Sequence, residues 1–262
     1  MRVGLYQFEP RFHDVGHNLA RIETALGRAR ADLVVLPELC TTGYLFRDRA
    51  ELERFAEEVP AGPACRRLAA VCAARNLAVV AGLAERAGSK VFNSAVLFTP
   101  EGGVHVYRKS HLFLDEQDIF DPGDTGFEVF EVHSVKLGML VCFDYIFPES
   151  ARSLALAGCQ LVCHPANLVL DYAQWMTLTR SAENRVFWVL ANRTGRETLG
   201  ERDLGFTGRS QLADPRGDLL YRCGMTPRNC RCWTSTRRWR STSSLLPATT
   251  CSTTAAPTYT GS

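Results

Sequence analysis

The chain is almost without lysine. Among the 30 Lys and Arg in its 262 residues, only Lys90, Lys109 and Lys136 are lysines. Arginine therefore serves wherever a generic positive charge suffices, and a retained lysine points to a need for its compact ammonium. No apolar run approaches the ~20 residues that cross a bilayer, so no membrane partner is predicted. The N-terminus opens directly into the strand-like VGLYQF without a leader of the secretory kind, and a cytoplasmic location is expected. No glycine-rich loop falls between a strand and a helix, so a phosphate cradle is not predicted. Acidic residues are missing from one region, since none follows Asp218.

What is present suits an enzyme domain. With 46% hydrophobic and 22% charged residues, the chain can bury a large core in one domain. The ten cysteines are irregularly spaced, and Cys72, Cys142, Cys159 and Cys163 lie in apolar segments, so reduced thiols are expected. Strand patterns alternate with amphipathic helices. VGLYQF reads as a strand, HNLARIETALGRARA as a helix with Leu19, Ile22, Ala25 and Leu26 on one face, and LVVLPEL as the next strand. A helix CRRLAAVCAARN follows Pro63, and LAVVAGLAE, SAVLF, GVHVY, FEVFEV and KLGMLVCF read as strands. Pro148 starts a helix that Gly158 is placed to end, and QLVCHP, VFWVLANR and SQLADP complete the set. This interleaving predicts an α/β layered domain.

Three residues at the ends of apolar runs suggest chemistry. Cys142, in GMLVCFDYIFPES, sits where a strand gives way to a proline-initiated helix, a place where nucleophiles are displayed. A cysteine there is more often inert core, but Glu38 follows LVVLP and Lys109 follows VHVYR in the same way. A thiol near neutral pH is mostly protonated and needs a base as it attacks a carbonyl or nitrile carbon. Glu38 suits that role, because Leu33, Val34, Val35 and Leu36 would desolvate its carboxylate and make it a better proton acceptor. Lys109, with a backbone N–H such as that of Phe143, can stabilise the oxyanion of a tetrahedral intermediate.

Other chemistries find less support. His105, His111, His133 and His164 could each serve a cysteine–histidine hydrolase, but none has a local signature. Cys159, Cys163 and His164 place possible zinc ligands close together, yet residues of a strand alternate faces, and the segment reads as a buried strand. No metal is predicted.

LVVLPEL, YRKSHLF and VCFDYIFPES, in this order and at these separations, resemble the nitrilase superfamily of carbon–nitrogen hydrolases. The resemblance runs from Val3 to about Leu220 and takes in QFEPRFHDVGHNLARI, IFDPGD, HPANLV and SAENRVFWVLANR. It implies a four-layer α-β-β-α sandwich, a homodimer formed through outer helices, and no cofactor. It also implies Glu38 as base, Cys142 as the thioester-forming nucleophile, Lys109 on the oxyanion and Glu116 as a second glutamate orienting the lysine. Phe143 and Tyr145, aromatic residues beside the thiol, would shape an apolar slot with Tyr44 as a further wall, and Asn167 completes the expected substrate contacts. FDYIFPES, with no arginine just after the thiol, resembles the aliphatic amidase and N-carbamoylputrescine amidase side of the family. A linear amide substrate is expected, with an N-carbamoyl amine as the alternative.

The C-terminus departs from this pattern. The sequence predicts a hydrolase domain over 1–222 and an atypical tail over 223–262, rich in Ser, Thr and Arg and unable to build a core. A basic, nucleic-acid-binding tail is one explanation. A shifted reading frame in a GC-rich gene is the favoured one, so no nucleic-acid partner is expected. An inactive product with a damaged C-terminus is the competing functional class.

Overall fold

The structure is a computed structural model that describes residues 1–225. The first half contains β1 (Val3–Leu5), α1 (Val15–Gly27), β2 (Leu33–Val35), α2 (Arg49–Glu53), α3 (Pro63–Arg75), β3 (Ala78–Ala87), β4 (Lys90–Phe98) and β5 (Val104–Arg108). The second contains α4 (Glu116–Ile119), β6 (Val129–Val132), β7 (Val135–Met139), a 3-10 turn (Cys142–Ile146), α5 (Pro148–Leu156), β8 (Leu161–Ala166), α6 (Ala173–Asn184) and β9 (Phe187–Asn192). It closes with β10 (Arg196–Leu199), β11 (Arg202–Gly205), β12 (Gln211–Ala213) and β13 (Leu219–Arg222).

Two sheets form the inner layers, in the orders β1-β2-β3-β4-β5 and β13-β12-β9-β8-β7-β6, while β10 and β11 make a separate hairpin. Each sheet has three parallel strands, β1-β2-β3 and β7-β8-β9, flanked by antiparallel ones. Strand alternation sorts the core. Leu33, Val35, Ala78 and Val80 face the second sheet, packing with Leu137, Met139, Leu161 and Cys163. Their neighbours Val34, Val79 and Ala81 turn outward onto Ile22 and Leu26 of α1 and Cys65, Leu68 and Cys72 of α3. On the far side, Ala151 and Leu154 of α5 and Ala173 of α6 cover the second sheet. The result is the four-layer α-β-β-α sandwich.

Local chemistry sets the element ends. Asp14 caps α1 by accepting from His17 N at 3.0 Å. The helix ends at Gly27, short of the ARA that the sequence pattern includes, because Arg28 already closes the last turn and the chain must reverse to lay Leu33 beside Val3. Pro63 and Pro148 open α3 and α5, and Gly158 follows α5 at φ +87°. Strand β7 stops at Met139, so Cys142 lies in the 3-10 turn beyond it rather than at the strand's tip. The packed chain continues through Cys223, whose N–H bonds Ser210 O at 2.8 Å, and Gly224, whose carbonyl accepts from Gln7 at 2.8 Å. The rest of the tail read from the sequence, 226–262, lies outside the described residues. Among the described residues, no helix is long and apolar enough to cross a membrane.

Candidate active site

Glu38 is delivered by a continuation of β2 along β3. Gly82 N–H donates to Pro37 O at 3.1 Å and Cys40 N–H to Gly82 O at 3.0 Å, so the backbone of Glu38 lies directly against Gly82. A Cβ on Gly82 would stand 2.3 Å from Glu38 Cα, which only glycine avoids. Lys109 is placed just past β5, where its N–H donates to Asn93 O at 2.8 Å and its carbonyl accepts from Gly123 at 3.0 Å. A Cβ on Gly123 would reach 2.1 Å from Arg108 O, and this close approach accounts for the glycine of IFDPGD.

The ammonium of Lys109 joins two carboxylates. Its Nζ lies 2.9 Å from Glu38 Oε1 and 2.7 Å from Glu116 Oε2, with the lysine and Glu38 side chains wholly excluded from solvent. Burial alone would favour the neutral amine, but Glu116 and Glu38 outweigh it and raise the Lys109 pKa, keeping the charge. Burial pushes the Glu116 carboxyl up against the opposing pull of Lys109. Glu38 has a more polar setting than its sequence neighbours suggest, because Asn93 Nδ2 also donates to Oε1 at 2.7 Å. Its other oxygen, Oε2, is buried and has no hydrogen-bond partner. Tyr44 does more than wall an apolar slot, since its hydroxyl donates to Glu116 Oε1 at 2.8 Å.

Cys142 is held in a left-handed conformation, φ +41°, that costs a non-glycine residue about 1–3 kcal/mol. Three side chains fix the turn that imposes it. Asp144, fully buried, accepts from Val141 N at 2.9 Å, Tyr107 OH at 2.8 Å and His111 N at 3.1 Å. Arg180 of α6 donates to Tyr145 O at 3.0 Å and Ile146 O at 2.9 Å. His164 bonds the carbonyl of Cys142 itself at 2.8 Å. Trp188 Nε1–H donates to His164 Nδ1 at 3.1 Å, and an indole can only donate, so Nε2 carries the imidazole proton. Hydrogen bonds to charged groups contribute about 1.5–3 kcal/mol each, enough together to outweigh the strain.

Burial raises the Cys142 thiol well above its ordinary pKa. Glu38 adds to this, Lys109 opposes it, Glu116 adds again, and the Asn167 backbone amide, bonding toward the sulfur, opposes it slightly. Phe143, Tyr145 and Asn167 line a cleft at Cys142 with Phe113 and Leu168 that has room for about 10 Å³. Asn167 is buried, and both its side-chain Oδ1 and Nδ2 are unpartnered. A second cavity, about 210 Å³, is bounded by Tyr44, Phe46, Phe113, Glu116, Ile119 and Leu204.

The structure thus gathers Glu38, Lys109, Glu116, Cys142, Tyr44, Phe143, Tyr145 and Asn167 at one end of the two sheets. Sequence reasoning missed Asn93, which binds Glu38 through its side chain and Lys109 through its carbonyl. A polar residue in the middle of an apolar strand was the available signal. It also missed Asp144, two residues past the thiol. The alternative histidine bases are engaged elsewhere. His111 pairs with Asp144 at 2.8 Å, His105 packs at a tilt against Phe130, and His133 sits in the β6–β7 turn. His164 uses both nitrogens, and Cys159 Sγ donates to Leu161 O, so these do not converge on a shared centre with Cys163.

The chain is similar to known proteins over most of its length. The carbon–nitrogen hydrolase family matches residues 2–231. A nitrilase of Pyrococcus abyssi is 41% identical over 223 residues, covering 84% of each chain. An (R)-stereoselective amidase of a Pseudomonas species is 34% identical, with 86% of this chain and 81% of the relative covered. The solved amidase of Nesterenkonia sp. superposes with a TM-score of 0.74 at 30% identity, covering 87% of each chain. The fold, the family match over most of the chain and these relatives make this protein a carbon–nitrogen hydrolase of the nitrilase superfamily.

Proposed function

We propose that the protein is a thiol amidase, hydrolysing a linear aliphatic amide to carboxylic acid and ammonia. The observation that carries this reading is the buried cluster itself: Lys109 binds both oxygens of Glu116 but only Oε1 of Glu38, while Glu38 Oε2 has no partner beside a thiol that burial keeps protonated. Glu38 Oε2 takes the thiol proton as Cys142 Sγ attacks the amide carbon, and Lys109 neutralises the oxyanion. The proton passes to the departing amine, ammonia leaves, and a thioester remains on Cys142. Glu38 then removes a proton from water attacking the thioester, and the thiol is regenerated.

Glu116 holds the ammonium in place and is itself held by Tyr44. The unpaired Asn167 side chain offers one donor group and one acceptor, the pattern a primary carboxamide complements. A neutral cleft of aromatic residues fits an uncharged amide better than a carboxylate-bearing substrate. The solved Nesterenkonia amidase with acrylamide added at its active site cysteine supports a reactive cysteine in such a pocket. N-carbamoylputrescine amidases of Solanum lycopersicum and Arabidopsis thaliana, 29% and 27% identical, support the second reading, an N-carbamoyl amine substrate.

Dimer formation belongs to the same proposal. Leu156 at the end of α5 and Trp175 on α6 are 81% and 63% exposed on the outer helices, and sedimentation velocity tests whether a second copy covers them.

The test of function is ammonia release by the purified chain and its Cys142→Ala variant from aliphatic amides, N-carbamoyl amines and nitriles. Release from short amides that disappears in the variant supports the reading. Release from N-carbamoyl amines alone favours the second, and no release from a folded preparation rejects both.

A further inference from the structure

Two cavities in this molecule meet at one side chain. The cleft at Cys142 offers about 10 Å³, room for roughly one water and not for an acyl group. The cavity of about 210 Å³ behind it is open enough for a short aliphatic chain. Phe113 lines both. Apart from the bonded pair of Tyr44 hydroxyl and Glu116 carboxyl, the inner wall of the larger cavity is apolar, formed by Leu45, Phe46, Ile119 and Leu204. Its charged lining is completed by Asp203 and by Arg202 and Asp115, which face one another at 3.5 Å.

The ring of Phe113 can move without disturbing the cluster. Its backbone is fixed to the glutamate, with Phe113 N–H donating to Glu116 Oε2 at 3.0 Å and Glu116 N–H to Phe113 O at 3.0 Å. The ring itself is only half-buried and packs against Phe143 at a tilt of 54°, centroids 4.9 Å apart. Phe143 in turn meets Phe147 at 5.6 Å, and Phe147 stacks on His111. The next residue, Leu114, is exposed and held at φ +46°. The Phe113 ring thus borders both cavities, while the backbone around it keeps the Glu116 carboxylate on Lys109.

Resting on the amide reading above, we propose that Phe113 is a specificity-determining residue: its ring is the partition between the thiol and the acyl-chain cavity, and it sets the acyl length the enzyme accepts. Short acyl groups fit with a small displacement of the ring. Longer ones require it to swing away from Phe143, and each methylene that then enters the apolar cavity is worth about tenfold or more in kcat/KM.

The test compares kcat/KM for primary amides from acetamide to hexanamide in the wild type, Phe113→Ala and Phe113→Leu. The expected result is at least a tenfold rise in the hexanamide-to-acetamide ratio in Phe113→Ala, carried mainly by KM, with Phe113→Leu between. Parallel length profiles in all three proteins would overturn the proposal. A second measurement separates this from failure of the amide reading. Peptide mass spectrometry would follow labelling of Cys142 by N-phenylmaleimide and by iodoacetamide. If the partition is real, Phe113→Ala speeds the bulky reagent relative to the small one by at least tenfold, even in a chain that hydrolyses no amide. Equal acceleration of both reagents, or none, contradicts it.

Discussion

Gly82 lies so close against Glu38 that a Cβ there would stand 2.3 Å from Glu38 Cα: Glu38 is bracketed by the hydrogen bonds Gly82 makes to Pro37 and Cys40. Glu38 is thus positioned by main chain, not by its own side-chain contacts alone. Gly82→Ala should force the two strands apart, because the new methyl meets backbone atoms that cannot rotate away. We expect a loss of about 1–3 kcal/mol in stability, typical of overpacking, and more than a tenfold fall in kcat. Thermal melts and turnover by the soluble fraction test this, and an unchanged kcat would remove backbone placement from the account.

Glu38→Gln keeps the shape and the contact with Asn93 and deletes the proton acceptor. Both acylation and deacylation should slow, giving a 10²–10⁴-fold fall in ammonia release, the range of general-base catalysis. Stopped-flow thioester formation at the wild-type rate would assign proton removal to another group.

Lys109→Arg retains a charge but not a compact one, and the pocket that holds the ammonium has no exposed surface to absorb a guanidinium. The expected effect is more than tenfold on kcat, comparable to losing an oxyanion donor. Near-normal turnover would take Lys109 out of the reaction.

His164 predicts an acid limit on stability. Burial lowers its pKa to about 4, whereas an unfolded histidine titrates near 6.5. The unfolded chain therefore binds the proton first. His164 contributes its full share above about pH 6.5, and that share is lost as pH falls toward about 4, on the order of 3 kcal/mol in all. Denaturant unfolding at several pH values should show this slope reduced in His164→Gln. Equal slopes in the two proteins would contradict it.

How much of this was legible in the sequence depended on what each element buries. Glu38, Lys109 and Cys142 stand at or just past the ends of apolar strands, so hydrophobic periodicity located them, and Glu116 came with the resemblance. Helix α6 escaped detection because its buried face is polar: Gln174, Thr177, Arg180, Ser181 and Asn184 point inward and bond to backbone and neighbouring side chains. Hydropathy cannot register such a face. The cavity of about 210 Å³ was equally hidden, since its walls come from the segment after β2, the segment around α4 and the β10–β11 hairpin, which meet only in three dimensions. The hairpin also explains an otherwise unassigned pair. Glu197 Oε2 accepts from Tyr44 N and Leu45 N at 2.9 and 2.8 Å while Arg193 binds its other oxygen, anchoring the loop that carries Tyr44.

Rapid-quench peptide mass spectrometry during turnover of propionamide shows whether Cys142 carries the acyl group. A propionyl mass increment is expected on the peptide containing Cys142, present in the steady state and absent from the Cys142→Ala protein. Steady turnover with no acyl group on Cys142, or acid production surviving in Cys142→Ala, would contradict it.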